Sequence, residues 1–314
     1  MNTKTVKKIG DDWIVYIKPL LKQSSYNKYY NLLHSYIYPY LGYMIMSNLT
    51  TSSIEMWVLE LLNTGGKKQN GLSYKTIHDI LTLFKSIIKY YRSYGGHSQI
   101  DFNKIKVKKP RKKLEVLSVS EQNKLTLYLR ENLNGVNIGI LLSLYTGLRI
   151  GEICALCWED ISFDNQTIYI HKTMQRIQVN GHPKTKVIIT SPKSECSKRI
   201  IPINSTLLSI LQKYQNNYEG YILTGTCNKY MEPRTLENHF KKILTKCDLK
   251  SFNYHTLRHT FATRCIEVGF DVKSLSEILG HSSVNITMNR YVHPTMELKK
   301  ENMNKLSKYL GEHE

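Results

Sequence analysis

Ten consecutive residues, KIKVKKPRKK at 104–113, contain seven lysines or arginines and no carboxylate. Such a run cannot be packed into an apolar interior, because each unpaired cation would carry its own desolvation cost. The nearest carboxylates are Asp101 and Glu115, and Pro110 blocks a continuous helix through the run. The chain is therefore expected to build one core before this segment and another after it. Its 314 residues agree with that, at roughly 100–200 residues per domain, and 41% hydrophobic residues can furnish both cores. The expected division is a helical domain at 1–97, a basic linker at 98–117 and a larger domain at 118–314.

The positive charge extends beyond the linker. Lysine and arginine number 44 against 25 aspartates and glutamates, a formal net charge of +19. An excess of that size favours a polyanionic partner, since cations that neutralise phosphates release condensed counterions. Nucleic acid is expected rather than an anionic membrane, because no basic amphipathic helix, lipidation signal or run of about 18 apolar residues is evident. The N-terminal MNTKTVKKIGDDW meets acid before any signal-like core, so a soluble, cytoplasmic protein is expected. Its six cysteines, at 154, 157, 196, 227, 247 and 265, are too dispersed for a disulfide scaffold and are read as reduced.

The first domain reads as four helices. The clearest begins at Ser73, with Ile77, Ile80, Leu81, Phe84, Ile87, Ile88 and Tyr91 at three- and four-residue steps and Lys85, Lys89 and Arg92 opposite them. Ser52 and Glu55 form a capping-box pattern before Trp57, Val58, Leu61 and Leu62, and earlier helices are expected near Trp13–Leu21 and Tyr26–Tyr38. Composition leaves open whether this Tyr- and Lys-rich unit is a partner-binding bundle or a DNA clamp.

The second domain opens with another capping box, Ser118 to Glu121, and helices at about 119–131 and 136–145. Strand patterning follows at Phe163–Met174, Arg176–Thr190 and Arg199–Ile203, separated by turn residues Asp164-Asn165, Asn180-Gly181 and Pro192-Lys193-Ser194. Helical spacing returns after Asn204, ending one helix at Gly280. The fold class is thus an α-helical N-terminal domain followed by a mixed, mainly α domain around a small antiparallel sheet.

Cationic or imidazole side chains stand beside tight turns at four places in this domain: Arg149 in TGLRIGE, Lys193 in SPKSE, His255 and Arg258 in HTLRHTF, and His281 in LGHSS. Tyr291 lies ten residues after His281, in NRYVH. Taken singly, each has a plain structural explanation. Together, TGLRIGEICALCWEDI, HTLRHTFAT and LGHSSVNITMNRYVH, in that order, resemble the tyrosine recombinases, the family of phage integrases and Xer-like site-specific DNA recombinases. The resemblance covers nearly the whole chain and implies a four-helix, SAM-like core-binding domain before a catalytic one.

The chemistry explains the grouping of residue types. A phosphodiester gains negative charge as an oxygen nucleophile adds, so fixed cations must face its nonbridging oxygens. Arg149 and Arg258 suit this role, because guanidinium stays charged and offers a planar fork. The resemblance implies that Tyr291 is the nucleophile, forming a 3′-phosphotyrosyl bond, with Lys193 as the acid for the leaving 5′-oxygen. It further implies His255 as candidate base, His281 as a hydrogen-bond donor to the phosphate, and Glu152 as a carboxylate supporting the site from behind.

The ester conserves phosphodiester energy, so no cofactor, ATP or metal is expected. Cys154 and Cys157 imitate a zinc half-site without a second cysteine pair at zinc spacing, and are read as core. His259 is read as structural, because a helix turns it about 100° from Arg258.

The implied partner is double-stranded DNA, bound by a homo-tetramer on two sites, with an accessory directionality factor as a further candidate partner. Lys104, Lys106, Lys108, Lys109, Arg111, Lys112 and Lys113 either strap the duplex or form a solvated tether. Alternatives to recombination are DNA relaxation of the type IB topoisomerase kind and a DNA-binding regulator with a relic site. About ten residues precede the first expected helix, so a separate arm-binding domain is not expected. The ten-residue step from His281 to Tyr291 is one longer than in Xer-like members and leans toward a mobile-element enzyme.

Overall fold

Capping side chains set where the first helices begin. In the computed structural model, which describes residues 4–66, 69–110, 114–178, 185–191, 195–215, 219–292 and 296–311, Thr5 accepts from the Lys8 N–H and starts α1 (Val6–Ile17). This is earlier than Trp13 alone suggests, because Val6, Ile9 and Trp13 already share the buried face. Helix α2 (Gln23–Leu32) widens into a π turn, Leu33–Ile37, and continues as α3 (Tyr38–Leu41). The widening lies immediately before Pro39, which has no N–H to offer the preceding turn.

Helix α4 (Thr51–Thr64) begins with a box made by Thr50 and Ser53 rather than by Ser52 and Glu55. The two hydroxyls satisfy each other's backbone N–H groups two residues earlier, and Ile54, Trp57, Val58 and Leu61 still face inward. Helix α5 (Tyr74–Ser93), capped by Ser73, buries the expected stripe together with Leu83, while Leu81 is only partly buried.

These helices enclose one core, against which Ile105 and Val107 also pack. The alternation KIKVK therefore turns its apolar residues inward and leaves Lys104, Lys106 and Lys108 exposed, with Lys109 exposed beyond them. Arg111, Lys112 and Lys113 lie outside the described residues. By its contacts the chain divides into one unit of Met1–Lys112 with Ile177–Lys186, and another of Lys113–Arg176 with Val187–Glu314.

In the second unit, α6 (Val119–Glu131) starts with the expected Ser118–Glu121 box. It is followed by α7 (Gly135–Thr146), which is buried almost all round, and the short α8 (Ile150–Ala155). Strands β1 (Ile161–Ser162) and β2 (Thr167–Ile170) flank the Asp164-Asn165 turn, and β3 (Thr173–Gln178) pairs with β4 (Thr185–Thr190). Strand β5 (Arg199–Pro202) lies antiparallel to β2 and completes the sheet β1-β2-β5, with Ile168 opposite Ile201. The described strands thus form two small sheets where one was expected, and the turns at 180–181 and 192–194 lie outside the described residues.

Helices α9 (Ser205–Tyr214), α10 (Pro233–Lys246), α11 (His255–Glu267), α12 (Val272–Leu279), α13 (Val284–Tyr291) and α14 (Met296–Tyr309) complete the unit. Leu117 is held against α11, its N–H donating to Thr260 Oγ1 and its carbonyl accepting from Arg264 Nη2. On α14 the apolar side chains of Met296, Met303, Leu306 and Tyr309 are exposed, as is Leu310 beyond it. No helix among the described residues is long and apolar enough to cross a membrane.

Helices α7 and α12 end in left-handed glycines, Gly147 (φ 68°) and Gly280 (φ 62°). A Cβ at Gly147 would stand 2.6 Å from Phe261 Cδ1 and 2.8 Å from Leu279 Cδ2. Gly147→Ala is therefore expected to lower unfolding free energy by about 1–3 kcal/mol from the backbone conformation alone. Urea denaturation checks this, and an unchanged midpoint and slope would contradict it.

Candidate active site

Three arginines from different parts of the second unit donate to three successive carbonyls at the C-terminus of α12. Arg199 Nε reaches Ile278 O at 2.6 Å, Arg258 Nη2 reaches Leu279 O at 2.7 Å, and Arg149 Nη2 reaches Gly280 O at 3.0 Å. The last carbonyls of a helix lack intrahelical donors and carry the negative end of its dipole, so guanidinium groups are well matched to them. His281 follows directly, and Tyr291 ends α13.

Arg149 stands at the start of α8, where its backbone N–H donates to Glu152 Oε2 (2.9 Å) and its Nη1 to Oε1 (2.8 Å). The same carboxylate receives Arg199 Nη1 at 3.1 Å and Nη2 at 2.9 Å. Glu152 and Arg199 are both buried. Burial by itself would raise the Glu152 pKa, but the Arg199 hydrogen bonds and charge, aided by Arg149, bring it down to about 2.

Arg258 is almost fully enclosed, with Nη1 donating to Gly147 O at 2.9 Å. Burial and the Arg149 charge lower its pKa to about 9, leaving it cationic at neutral pH. Three guanidinium groups thus gather around one carboxylate, a surplus of two positive charges in a largely desolvated place.

His281 and His255 are neutral at pH 7. His281 Nδ1 lies 2.8 Å from Oγ1 of the fully buried Thr287, and burial followed by the charges of Arg258 and Arg149 lowers its pKa to about 3. His255 keeps an edge open to solvent, yet partial burial and the charges of Arg258, Arg290 and Arg149 lower it to about 4.

Tyr291 is buried, and its Oη lies 2.8 Å from His259 Nδ1. Burial raises the phenol pKa, while the charges of Arg258, Arg290 and Arg149 oppose that rise. Among the described residues His255 makes its ring contact with His259, edge to face at 4.5 Å between centroids, and not with the phenol.

The structure therefore brings Arg149, Glu152, Arg258 and His281 together around the end of α12, with Tyr291 within reach of their charges. Lys193 lies outside the described residues, between β4 and β5. Lys104, Lys106, Lys108 and Lys109 belong to the other unit. Cys154, on α8, and Cys157, just after it, are free buried thiols, and burial pushes the Cys154 thiol above the ordinary range.

Sequence reasoning did not single out Arg199 or Thr287, and it read His259 as structural without foreseeing its contact with Tyr291. Nothing in the sequence marks Arg199 or Thr287, whose partners lie on other elements. His259 was legible: it is four residues after His255, and i, i+4 residues share a helix face.

The profile of the phage integrase family matches residues 115–297, and that of its N-terminal SAM-like domain matches residues 5–62. The chain belongs to the phage integrase family. A XerC-like tyrosine recombinase of Caldanaerobacter subterraneus is 29% identical over 249 residues, covering 72% of this chain and 64% of that protein. The integrase of Staphylococcus phage L54a is 30% identical over 179 residues, covering 52% of this chain and 49% of that protein. The matched region thus spans less than two thirds of either relative. In fold, the chain resembles the Tn1549 transposon integrase, solved with transposon right end DNA, at a TM-score of 0.80 and 22% identity, over 97% of this chain and all of that one.

The buried Glu152 makes stability depend on pH. Its folded pKa, about 2, lies below its ordinary 4.5, so its contribution is complete above about pH 4.5 and is lost as pH falls through 2. Glu152→Gln is expected to flatten this acid limb in urea titrations at constant ionic strength. Parallel limbs in the two proteins would contradict the assignment.

Proposed function

We propose that this integrase-family chain is a site-specific recombinase of a mobile element, cutting and rejoining double-stranded DNA through a 3′-phosphotyrosyl intermediate. The observation that carries the reading is the surplus positive charge at the end of α12, held beside a buried tyrosine. An anion with two nonbridging oxygens matches two guanidinium forks better than any neutral substrate does. The transposon and phage names of its relatives support the mobile-element part of the reading.

In this proposal Arg149 and Arg258 clamp the scissile phosphate, and His281 donates to it. Thr287 orients His281, and the Glu152–Arg199 pair holds Arg149 in place. Tyr291 Oη attacks phosphorus, the bond to the 5′-oxygen breaks, and Lys193 supplies the proton that oxygen takes up. His255, by family resemblance, belongs to the imidazole group that relieves the phenol of its proton. Each charge-stabilising role thus falls to a protein cation.

The helical domain is assigned contacts of its own with the duplex, in keeping with the resemblance. The exposed Lys104, Lys106, Lys108 and Lys109, with Arg111, Lys112 and Lys113 next in sequence, are assigned to the phosphate backbone. A homo-tetramer on two sites is the proposed working assembly, with a separate directionality factor. The exposed apolar residues of α14 are suited to docking on a neighbouring protomer.

Supercoiled plasmids carrying no, one or two copies of a selected site test the reading. Recombinant circles from two-site plasmids alone are expected. Relaxation without a site would favour the topoisomerase alternative, and binding without any strand cleavage the regulator. The assigned roles divide further on a substrate whose 5′-bridging oxygen is sulfur, because a thiolate leaves without protonation. Sulfur is expected to restore cleavage by Lys193→Ala but not by Arg258→Lys, which should lose about 10²–10³ in rate with DNA binding largely kept. The reverse pattern would overturn the two roles.

A further inference from the structure

We infer that His259 is the group that takes the proton from Tyr291 as the phenol attacks DNA, an inference that rests on Tyr291 being the nucleophile proposed above. The geometry assigns it: among the described residues His259 Nδ1 reaches Oη, at 2.8 Å, in the hydrogen-bonding range a proton acceptor needs. The ring is held in that direction from both sides. Its place on α11 is one helical turn beyond His255, whose ring meets it edge to face at 4.5 Å, and on its other side stands the buried Tyr291.

The surroundings keep the ring ready to accept. Burial, then the charges of His255, Arg290 and Arg258, lowers its pKa to about 4, so at neutral pH it is uncharged and has an open lone pair on one ring nitrogen. With Nδ1 as that nitrogen, the phenol donates to it and Nε2 carries the ring proton. The same low pKa makes His259 a weak base in the free protein, and the phenol stays protonated. A phosphodiester seated on Arg149 and Arg258 would offset the Arg258 charge, one of those that disfavour imidazolium. Proton transfer then becomes less unfavourable and accompanies formation of the bond to phosphorus, which protects a buried nucleophile from idle ionisation.

The step balances. Tyr291 Oη loses its proton to His259 Nδ1, giving imidazolium, and an Oη lone pair forms the bond to phosphorus. The phosphorus–5′-oxygen bond breaks, and the leaving oxygen takes a proton from Lys193. On rejoining, the 5′-hydroxyl returns its proton to Lys193 and attacks, and Oη recovers its own from His259. In this scheme His255 supports the His259 ring.

The test uses the full chain and a pool of nicked duplexes of randomised sequence, from which covalently bound strands are recovered in SDS. DNA binding is measured in parallel. His259→Ala is expected to bind DNA but form covalent complex about 10²–10⁴ times more slowly than the native chain. Sulfur at the 5′-bridging position should leave that defect in place, because it replaces the acid and not the base. His259→Asn is the second variant: its amide can accept a hydrogen bond near the Nδ1 position but cannot take a proton, and it should be equally slow. If His259→Asn cleaves at the native rate, or if sulfur rescues His259→Ala, the ring only positions the phenol or acts elsewhere and the inference falls. Covalent complex mapped to Tyr291 in the native chain, with His259→Ala within threefold of it, overturns the inference alone. An adduct on another residue overturns the role of Tyr291 as well.

Discussion

Everything at the site depends on the open end of one helix. The carbonyls of Ile278, Leu279 and Gly280 have no intrahelical donors, and each is taken by a different arginine. Guanidinium groups repel one another, and packing three of them together in a desolvated place is unfavourable unless partial negative charge is already fixed there. The α12 terminus and the Glu152 carboxylate supply it. What they do not supply is full neutrality, and the remaining positive charge is available to a substrate anion. Under the proposed function, binding and stability are two uses of one arrangement, in which Arg199 and Glu152 carry most of the structural share while the partly exposed Arg149 and the enclosed Arg258 are assigned to the phosphate.

The left-handed glycines belong to the same arrangement. Gly147 ends α7 and offers its carbonyl to Arg258, and Gly280 ends α12 and offers its carbonyl to Arg149. A Cβ at Gly280 would come within 3.0 Å of Arg199 Nη1. Each turn therefore brings a backbone acceptor close to a guanidinium, and the TGLR and LGH motifs read in the sequence are the chemical form of those turns.

Much of the architecture was legible because it rests on local rules. The Ser118–Glu121 box, the stripe on α5 and the breaker at Gly280 are each decided within about one or two helical turns. The start of α4 was misplaced because two candidate boxes competed for one cap, and position alone does not rank Thr50 and Ser53 against Ser52 and Glu55. The motif residues Arg149, Arg258, His281 and Tyr291 could be found since each is near a turn with its own signature. Arg199 could not, because its partners are separated from it by 47 residues at Glu152 and 79 at Ile278. The pairing of His259 with Tyr291 is a third kind of case. The helix geometry that seemed to turn His259 away from Arg258 also sets it over His255 and against the phenol.

The central claim is that this buried tyrosine, beside an under-neutralised arginine cluster, becomes covalently joined to DNA. Trapping the native chain on nicked duplexes, digesting the adduct and sequencing the modified peptide by mass spectrometry tests that directly. The account requires the nucleotide to be attached to Tyr291 through a 3′-phosphate. Attachment to any other residue, or a 5′-phosphate linkage, would contradict it.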